Sequence, residues 1–559
     1  MTRKRILPIA ALTVAAALIM VGCAGGSPNG GASGSGAPAG NIPVLSFGKP
    51  DGPQTNNNNP FVPSSAARDL GYAYAIYEPL VVANTLDPTA QPTPWLATAW
   101  QWNTDYTSIT FTVRDGVKWS DGQDLTADDV DYSIQMRIDN AALNTENLPY
   151  QSVSENGNQV TVTFTSSQYV NTNKVYGLFI VPKHIWSTIS DPTTELNANP
   201  VGSGPYVLSS FTPTAVTLTA NPNYWGGTVK VPQIQYQSFN DNTGLLNALV
   251  AGQVQWGWGY IANYQQVFDS KDPAYVSWFP SGLNIDALWF NCAQWPFNDV
   301  NLRKAVSMII DRQTLSTTGS TGAAGPLTSV TGLPLPAGQS FIASQYQGQT
   351  YSVDVAGAQQ LLTQAGYTGV GTSLVDPSGK AVSVSVGVPS GWNDYQAELQ
   401  LIANAMQQDL GMQVTVEAPT ADSWTTDVAN GNFDATLHWT DQGSTPYDIY
   451  SDIMNGTYLQ PIGSTANYNF GRFDSTDATT ALAAYANASS DADRATALAT
   501  VQQIFIDQVP AVPLLERPSW GQYSTKYYTG WPTAANPYAD INMTMPAATE
   551  ILTKLAPVS

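Results

Sequence analysis

The stretch "HWTDQGSTPYDIY" (438–450) gathers one of only two histidines in the chain, Trp439, the carboxylates of Asp441 and Asp448, the amide of Gln442 and the phenols of Tyr447 and Tyr450 around Pro446. A carboxylate placed in such a loop can pair with a cationic group. Alternatively, amide and carboxylate groups can bond the hydroxyls of a neutral polyol while ring faces stack on its CH surfaces. Similar residues recur elsewhere: "QWGWGY" with Trp256, Trp258 and Tyr260, "PSGWNDYQ" with Trp392, and "SWTTD" with Trp424, among 16 tryptophans and 27 tyrosines. Aromatics also dominate core burial, so each has a packing reading beside the binding one. Alternation in "QWGWGY" puts Trp256, Trp258 and Tyr260 on one face.

These residues need a scaffold, and the sequence predicts a mixed α/β one. "TSITFTVRDG" alternates Ile109, Phe111 and Val113 with polar residues, as a half-buried strand does. "QSVSENGNQVTVTF" sets Asn156-Gly157 between two alternating runs, a hairpin signal. Helices follow at "FNDVNLRKAVSMIIDR", capped by Asn298 or Asp299, and at "DVAGAQQLLTQAGY", where Asp354 caps and Gly366 stops the helix. A third, in "DADRATALATVQQIFIDQ", turns Leu498, Val501 and Phe505 inward. Thr126 caps another helix with Asp128 and Asp129 in its first turn. Arg303 and Asp311 are expected on a solvated helix face, and His184 as a hydrogen-bonded packing residue. No internal repeat is visible. The length exceeds what one core accommodates, so two or more lobes are expected.

The N-terminus reads as a leader. Arg3, Lys4 and Arg5 precede an apolar run over 6–20, about 15 residues and too short to span a bilayer. "MVGC" then resembles a bacterial lipobox. That resemblance implies a signal peptide over 1–22 and a lipidated Cys23, with the Gly/Ser/Pro/Ala-rich residues up to 41 as a flexible tether. The mature protein would then sit on the extracytoplasmic face of the membrane, held by its lipid alone. The net charge of −21 disfavours a nucleic-acid or anionic-lipid partner. Cys292 is the only other cysteine, so neither an intrachain disulfide of the mature domain nor a thiolate cluster is possible. Its neighbours in "LWFNCAQWPF" point to an inert buried thiol.

A run of ordered motifs resembles the solute-binding proteins of peptide/nickel-type (family 5) ABC importers: "YEPLV" (77–81), "PWLATAW" (94–100), "FTVRDGVKWSDGQDLTADDV" (111–130), "VPKHIW" (181–186), "NPVGSGPY" (199–206), "NPNYWGG" (221–227), "PFNDVNLRKAVSMIIDR" (296–312), "AGAQQLLTQAGY" (356–367), "NGNFDATLHW" (430–439) and "DQVPAVPLLER" (507–517). The resemblance implies a two-lobed α/β clamshell. Lobe I would comprise 42–285 with the tail 515–559, and lobe II 286–514, with hinge crossings near 285 and 515. Ligand would bind between the lobes, and the closed protein would dock as a monomer on permease subunits. No cofactor or metal is implied, and the 111–130 signature reads as scaffold.

In peptide-binding members of the family, an aspartate shortly after a tryptophan in the 438–450 loop pairs with the peptide ammonium. Aligned on Pro446, Gln442 rather than Asp441 takes that place. The tail "YYTGWPTAANPYAD" (527–540) instead resembles the oligosaccharide-binding branch. The expected contacts are Trp439, Asp441, Gln442, Tyr447, Trp392, Trp256, Trp258 and Asn242, around a cello- or manno-oligosaccharide. An oligopeptide, with Asp441 or Asp448 taking the ammonium, is the alternative. A glycosidase using two carboxylates is the rival from another class. No nucleophile elbow, phosphate loop or His-rich metal motif supports catalysis, and two histidines are few for acid–base or zinc chemistry.

Overall fold

The computed structural model describes residues 44–558; the leader, Cys23 and the tether lie outside the described residues. Three sheets carry the architecture. A seven-stranded sheet runs in the order Tyr275–Ser277, Gln522–Ser524, Trp256–Gly257, Leu45–Lys49, Gln233–Ser238, Ala215–Ala220 and Tyr206–Thr212. Its central strand Leu45–Lys49 is buried along its whole length, apolar or small as far as Gly48, as expected for a strand with parallel neighbours on each side. The C-terminal tail returns to this sheet by inserting Gln522–Ser524 between Tyr275–Ser277 and Trp256–Gly257.

An antiparallel four-stranded sheet packs into the same core. Within it, Ser108–Val113 buries Ile109, Phe111 and Val113 and leaves the alternate residues half-buried, the period-two pattern of the sequence. The hairpin of Tyr150–Asn156 and Gln159–Phe164 turns through Gly157 at φ 65°. Helix Ala127–Asp139 starts in a capping box, the Thr126 N–H donating to Asp129 Oδ2 at 2.9 Å. In "NPVGSGPY" the glycines allow close backbone approach: a Cβ on Gly202 would lie 2.0 Å from the Ile76 carbonyl oxygen, and one on Gly204 2.5 Å from that of Ala75.

A five-stranded sheet organises the other half, in the order Gln413–Glu417, Ser383–Gly387, Ala435–Trp439, Ser281–Phe290 and Ala511–Pro518. Helices Val300–Ile309, Val355–Gln364, Asn393–Leu410 and Asp491–Gln508 accompany it. Asp299 and Asp354 cap the first two through their side chains, and Leu498, Val501 and Phe505 are buried on the last. Arg303 departs from expectation. It is 3% exposed and donates to the carbonyls of Phe297, Gln508 and Val509. Gln508 ends a helix, where carbonyls lack intrahelical donors, and the guanidinium supplies them. Helical periodicity cannot reveal that a distant helix ends there. Asp311 is exposed and caps the following turn.

The chain passes between the two large sheets at 278–280 and returns at 519–521, a few residues from the expected crossings. The passing segments bond to each other: Ser519 N–H donates to the Pro280 carbonyl at 2.7 Å and Trp278 N–H to that of Gly521 at 2.8 Å. No helix among the described residues is long and apolar enough to cross a membrane. Gly202→Ala is expected to lower the unfolding free energy by about 2–3 kcal/mol, because the neighbour is backbone and cannot yield. Denaturant titration checks this; an unchanged midpoint would mean that the two segments separate freely.

Candidate ligand-binding cleft

Strand Ala435–Trp439 pairs antiparallel with Ser281–Phe290, setting Trp439 opposite Asp286. The chain then leaves the sheet. Thr440 N–H still bonds the Ile285 carbonyl (3.0 Å), and the loop 440–446 runs out toward the other half before helix Tyr447–Met454 begins after Pro446. There it meets residues of the first half: Gln442 Nε2 approaches the Thr85 carbonyl (3.4 Å), Ser444 Oγ lies 3.0 Å from Thr172 Oγ1, and Asp448 lies 3.5 Å from Lys174 Nζ. Gly282 makes this possible, since a Cβ there would lie 2.0 Å from Gln442 Nε2.

A cavity of about 520 Å³ opens between the halves, its wall including Trp439, Asp441, Gln442, Tyr74, Phe179 and Arg517. A second, of about 480 Å³, shares Glu146, Lys174 and Asp441 with it and adds Tyr447, Tyr458 and Tyr468. A third, of about 250 Å³, shares Ala83, Thr85 and Asn173 with the first. Together they form one branched cleft. Asn173 and Asn284 both line the first cavity, and each holds a buried side-chain oxygen without a hydrogen bond from the protein.

Four expected residues, Trp439, Asp441, Gln442 and Tyr447, are thus brought together. The others are not. Trp256 is a correction: it is fully buried, donates Nε1–H to the Ile541 carbonyl at 3.1 Å and packs on Phe47 and Trp531. Its strand lies inside the seven-stranded sheet, so the aromatic alternation serves the core. Trp258 is half-buried beneath Lys49 Nζ (4.9 Å from the ring) and outside the three cavities. Asn242 opens helix Asn242–Val250 and also lies away from them. Trp392 stands behind the wall, with ring centroids 5.0 Å from Trp424 and 5.9 Å from Trp439. His184, by contrast, bonds Asp121 at 2.8 Å, and burial pushes the Cys292 thiol up to about 11, leaving it unreactive.

The wall is electrostatically organised. Arg517 donates to Asp286 Oδ1 (2.8 Å) and the Tyr395 hydroxyl (3.1 Å), and lies 4.6 Å over the Trp439 ring. His438 stacks on that indole at 4.2 Å, so Trp439 enters the wall with its ring already engaged. Asp441 accepts from the Tyr468 hydroxyl, and its own N–H donates to Asp452 Oδ2 at 2.7 Å. Burial, then the Asp441 charge, holds the Asp452 carboxyl well above the ordinary range. Asp448 is raised too, by burial, with Lys174 opposing; the same carboxylate keeps the Lys174 ammonium above its usual value.

Lys174, Asn173, Asn284, Arg517 and Tyr468 also line the cleft and are not among the residues expected from the sequence. Two signals existed. Arg517 sits at the crossing, where a side chain must face the space between lobes. Lys174 is the only basic residue between Arg137 and Lys183.

Residues 91–458 match the bacterial extracellular solute-binding proteins, family 5 middle. The chain belongs to this family. Protein XP55 of Streptomyces lividans is 28% identical over 320 residues, covering 56% of this chain and 57% of that one. The chain therefore spans a little over half the length of that curated relative. The family 5 fold extends further in three dimensions. A crystal structure of an oligopeptide ABC transporter's periplasmic oligopeptide-binding protein from Thermotoga maritima superposes with TM-score 0.83 at 23% identity, covering 93% of this chain and 100% of the other. The same Thermotoga protein with bound mannohexaose gives 0.77, again at 23% identity, over 92% and 99% of the two chains. The two-lobed α/β clamshell is the fold of this chain.

Behind the cleft wall, against the Trp439 ring, His438 supplies a pH signature. Its Nδ1 lies 2.7 Å from the Trp439 carbonyl amid Trp289, Trp424 and Phe470. Burial lowers its pKa from 6.5 to about 4. Below pH 6.5 the unfolded chain takes up a proton that the folded chain refuses, so the contribution of this one group to stability falls as pH drops toward 4, by up to about 3 kcal/mol. Urea titrations at pH 7.5 and 4.5 should show a stability change on acidification that is less favourable in the wild type than in His438→Gln; the difference isolates the imidazole from the buried Glu78 and Asp394, whose raised pKa values act in the opposite sense. Equal changes would assign the acid sensitivity to other groups.

Proposed function

We propose that this protein captures a neutral oligosaccharide of manno- or cello-type between its two lobes and delivers it to the permease of an ABC importer. It acts as a monomer tethered outside the cell by a lipid on Cys23, and as a carrier rather than an enzyme. The observation that carries the ligand class is the state of the 440–446 loop. The position reaching across the cleft is an amide, Gln442, and the neighbouring Asp441 carboxylate already accepts from Tyr468. Around them stand amides and phenols, Asn173, Asn284, Tyr447 and Tyr458, suited to hydroxyls and CH faces. The mannohexaose complex of the Thermotoga protein supports such a ligand in a cleft of this fold. Lobe boundaries follow the sheet crossings, with 278–280 and 519–521 as hinge.

Ligand that binds only the native state adds about 2.7 kcal/mol at a hundredfold excess over Kd. Thermal unfolding is therefore expected to shift upward with mannohexaose or cellohexaose and to stay unchanged with hexapeptides. The reverse pattern would make the protein a peptide carrier. Gln442→Ala is expected to weaken sugar binding about tenfold, roughly 1.4 kcal/mol, through loss of one buried hydrogen-bonding group. Unchanged affinity by calorimetric titration would remove Gln442 from the contact set.

A further inference from the structure

Lys174 is the one lysine or arginine lining the second cavity, and it comes from the opposite lobe to the acids it faces. Helix Thr172–Tyr176 of the first half presents its Nζ 3.5 Å from Asp448 Oδ1. Asp441 and Asp452, both on that wall, add their fields to the same ammonium. Asp448 and Asp452 are 5% and 4% exposed, so these acids have little water to solvate charge. Buried carboxylates require a cation, a proton or several donors. Tyr468 serves Asp441, and the Asp441 N–H serves Asp452. The cation at this place is a side chain of the protein itself.

We infer that Lys174 is a specificity-determining residue, a tethered ammonium that occupies the corner of the cleft lined by Asp441, Asp448 and Asp452 and thereby closes it to cationic ligand groups. The inference rests on the reading of this cleft as the ligand site, and deepens it by naming what is excluded. A ligand ammonium arriving there would meet Lys174 Nζ at close range, and like charges in a partly desolvated pocket repel. A neutral chain meets no such opposition. It can also bond the three donors of the lysine, which a carboxylate-only wall would not offer. The arrangement forms across the lobes, so the exclusion operates in the closed form.

The test compares ligands differing only in one charge. Hexa-alanine with a free amine and its N-acetylated counterpart are titrated calorimetrically into the wild type and into Lys174→Ala. In the wild type the free amine is expected to gain no advantage, both peptides binding weakly or within about threefold of each other. In Lys174→Ala the free-amine peptide should gain at least tenfold over the acetylated one. Propylammonium chloride should likewise raise the thermal midpoint of the variant, relative to equal sodium chloride, and leave the wild type unmoved. Lys174→Arg, which keeps the charge, should behave as the wild type does. A tenfold preference for the free amine in the wild type overturns the inference even if every variant fails to fold. So does a Lys174→Ala protein that folds and shows neither gain. If wild type binds both peptides equally well and no oligosaccharide, and Lys174→Ala gains for the free amine, the sugar reading fails while the role of Lys174 stands.

Discussion

Arg517 donates to Asp286 and Tyr395 at the point where the two strands linking the lobes lie side by side. Asp286 is 5% exposed, and its strand pairs with Ala511–Pro518 on one edge and Ala435–Trp439 on the other. A buried ion pair contributes little net stability against an apolar substitute, but removing one partner costs about 3–5 kcal/mol because the other charge is left stranded. The pair therefore acts mainly on position. It fixes the side chain opposite Trp439, lays a guanidinium across that indole, and so determines where the 440–446 loop leaves the sheet.

The tryptophans, abundant enough to suggest a stacking platform, are mostly committed to the protein. Trp119, Trp186, Trp256 and Trp289 are fully buried, and Trp392, Trp424 and Trp439 pack on one another. Large rings hold the wall rigid from behind. The lining of the cleft is mainly tyrosine, amide and charge. This division suits selective capture: order is provided before binding, and contact is left to groups that can exchange partners with water at small net cost.

Much of the fold was legible in the sequence because it rests on local rules. Alternation identified Ser108–Val113, a two-residue turn identified the following hairpin, and Asp299, Asp354 and Thr126 marked helix starts. The loop carrying Trp439, Asp441, Gln442 and Tyr447 was legible by composition. What escaped notice was set by distant pairing. Arg303 looked solvated until the end of helix Asp491–Gln508 was placed over it. Trp256 looked exposable because its strand's neighbours, Leu45–Lys49 and Gln522–Ser524, are hundreds of residues away along the chain. Lys174 and Asn284 belong to the cleft only because two lobes meet there.

The mutual hydrogen bonds of 278–280 and 519–521 have a mechanical meaning. Two separate tethers would let the lobes twist, slide and tilt independently. A narrow ribbon of paired backbone bends across its face by small φ/ψ changes, but shearing in its plane would break the bonds between its edges. If the two halves move about these segments, such a ribbon favours a single bending rotation over twisting or sliding. Under such a rotation the gap would widen most at the rim farthest from the ribbon and least beside it, next to the strand that ends after Arg517.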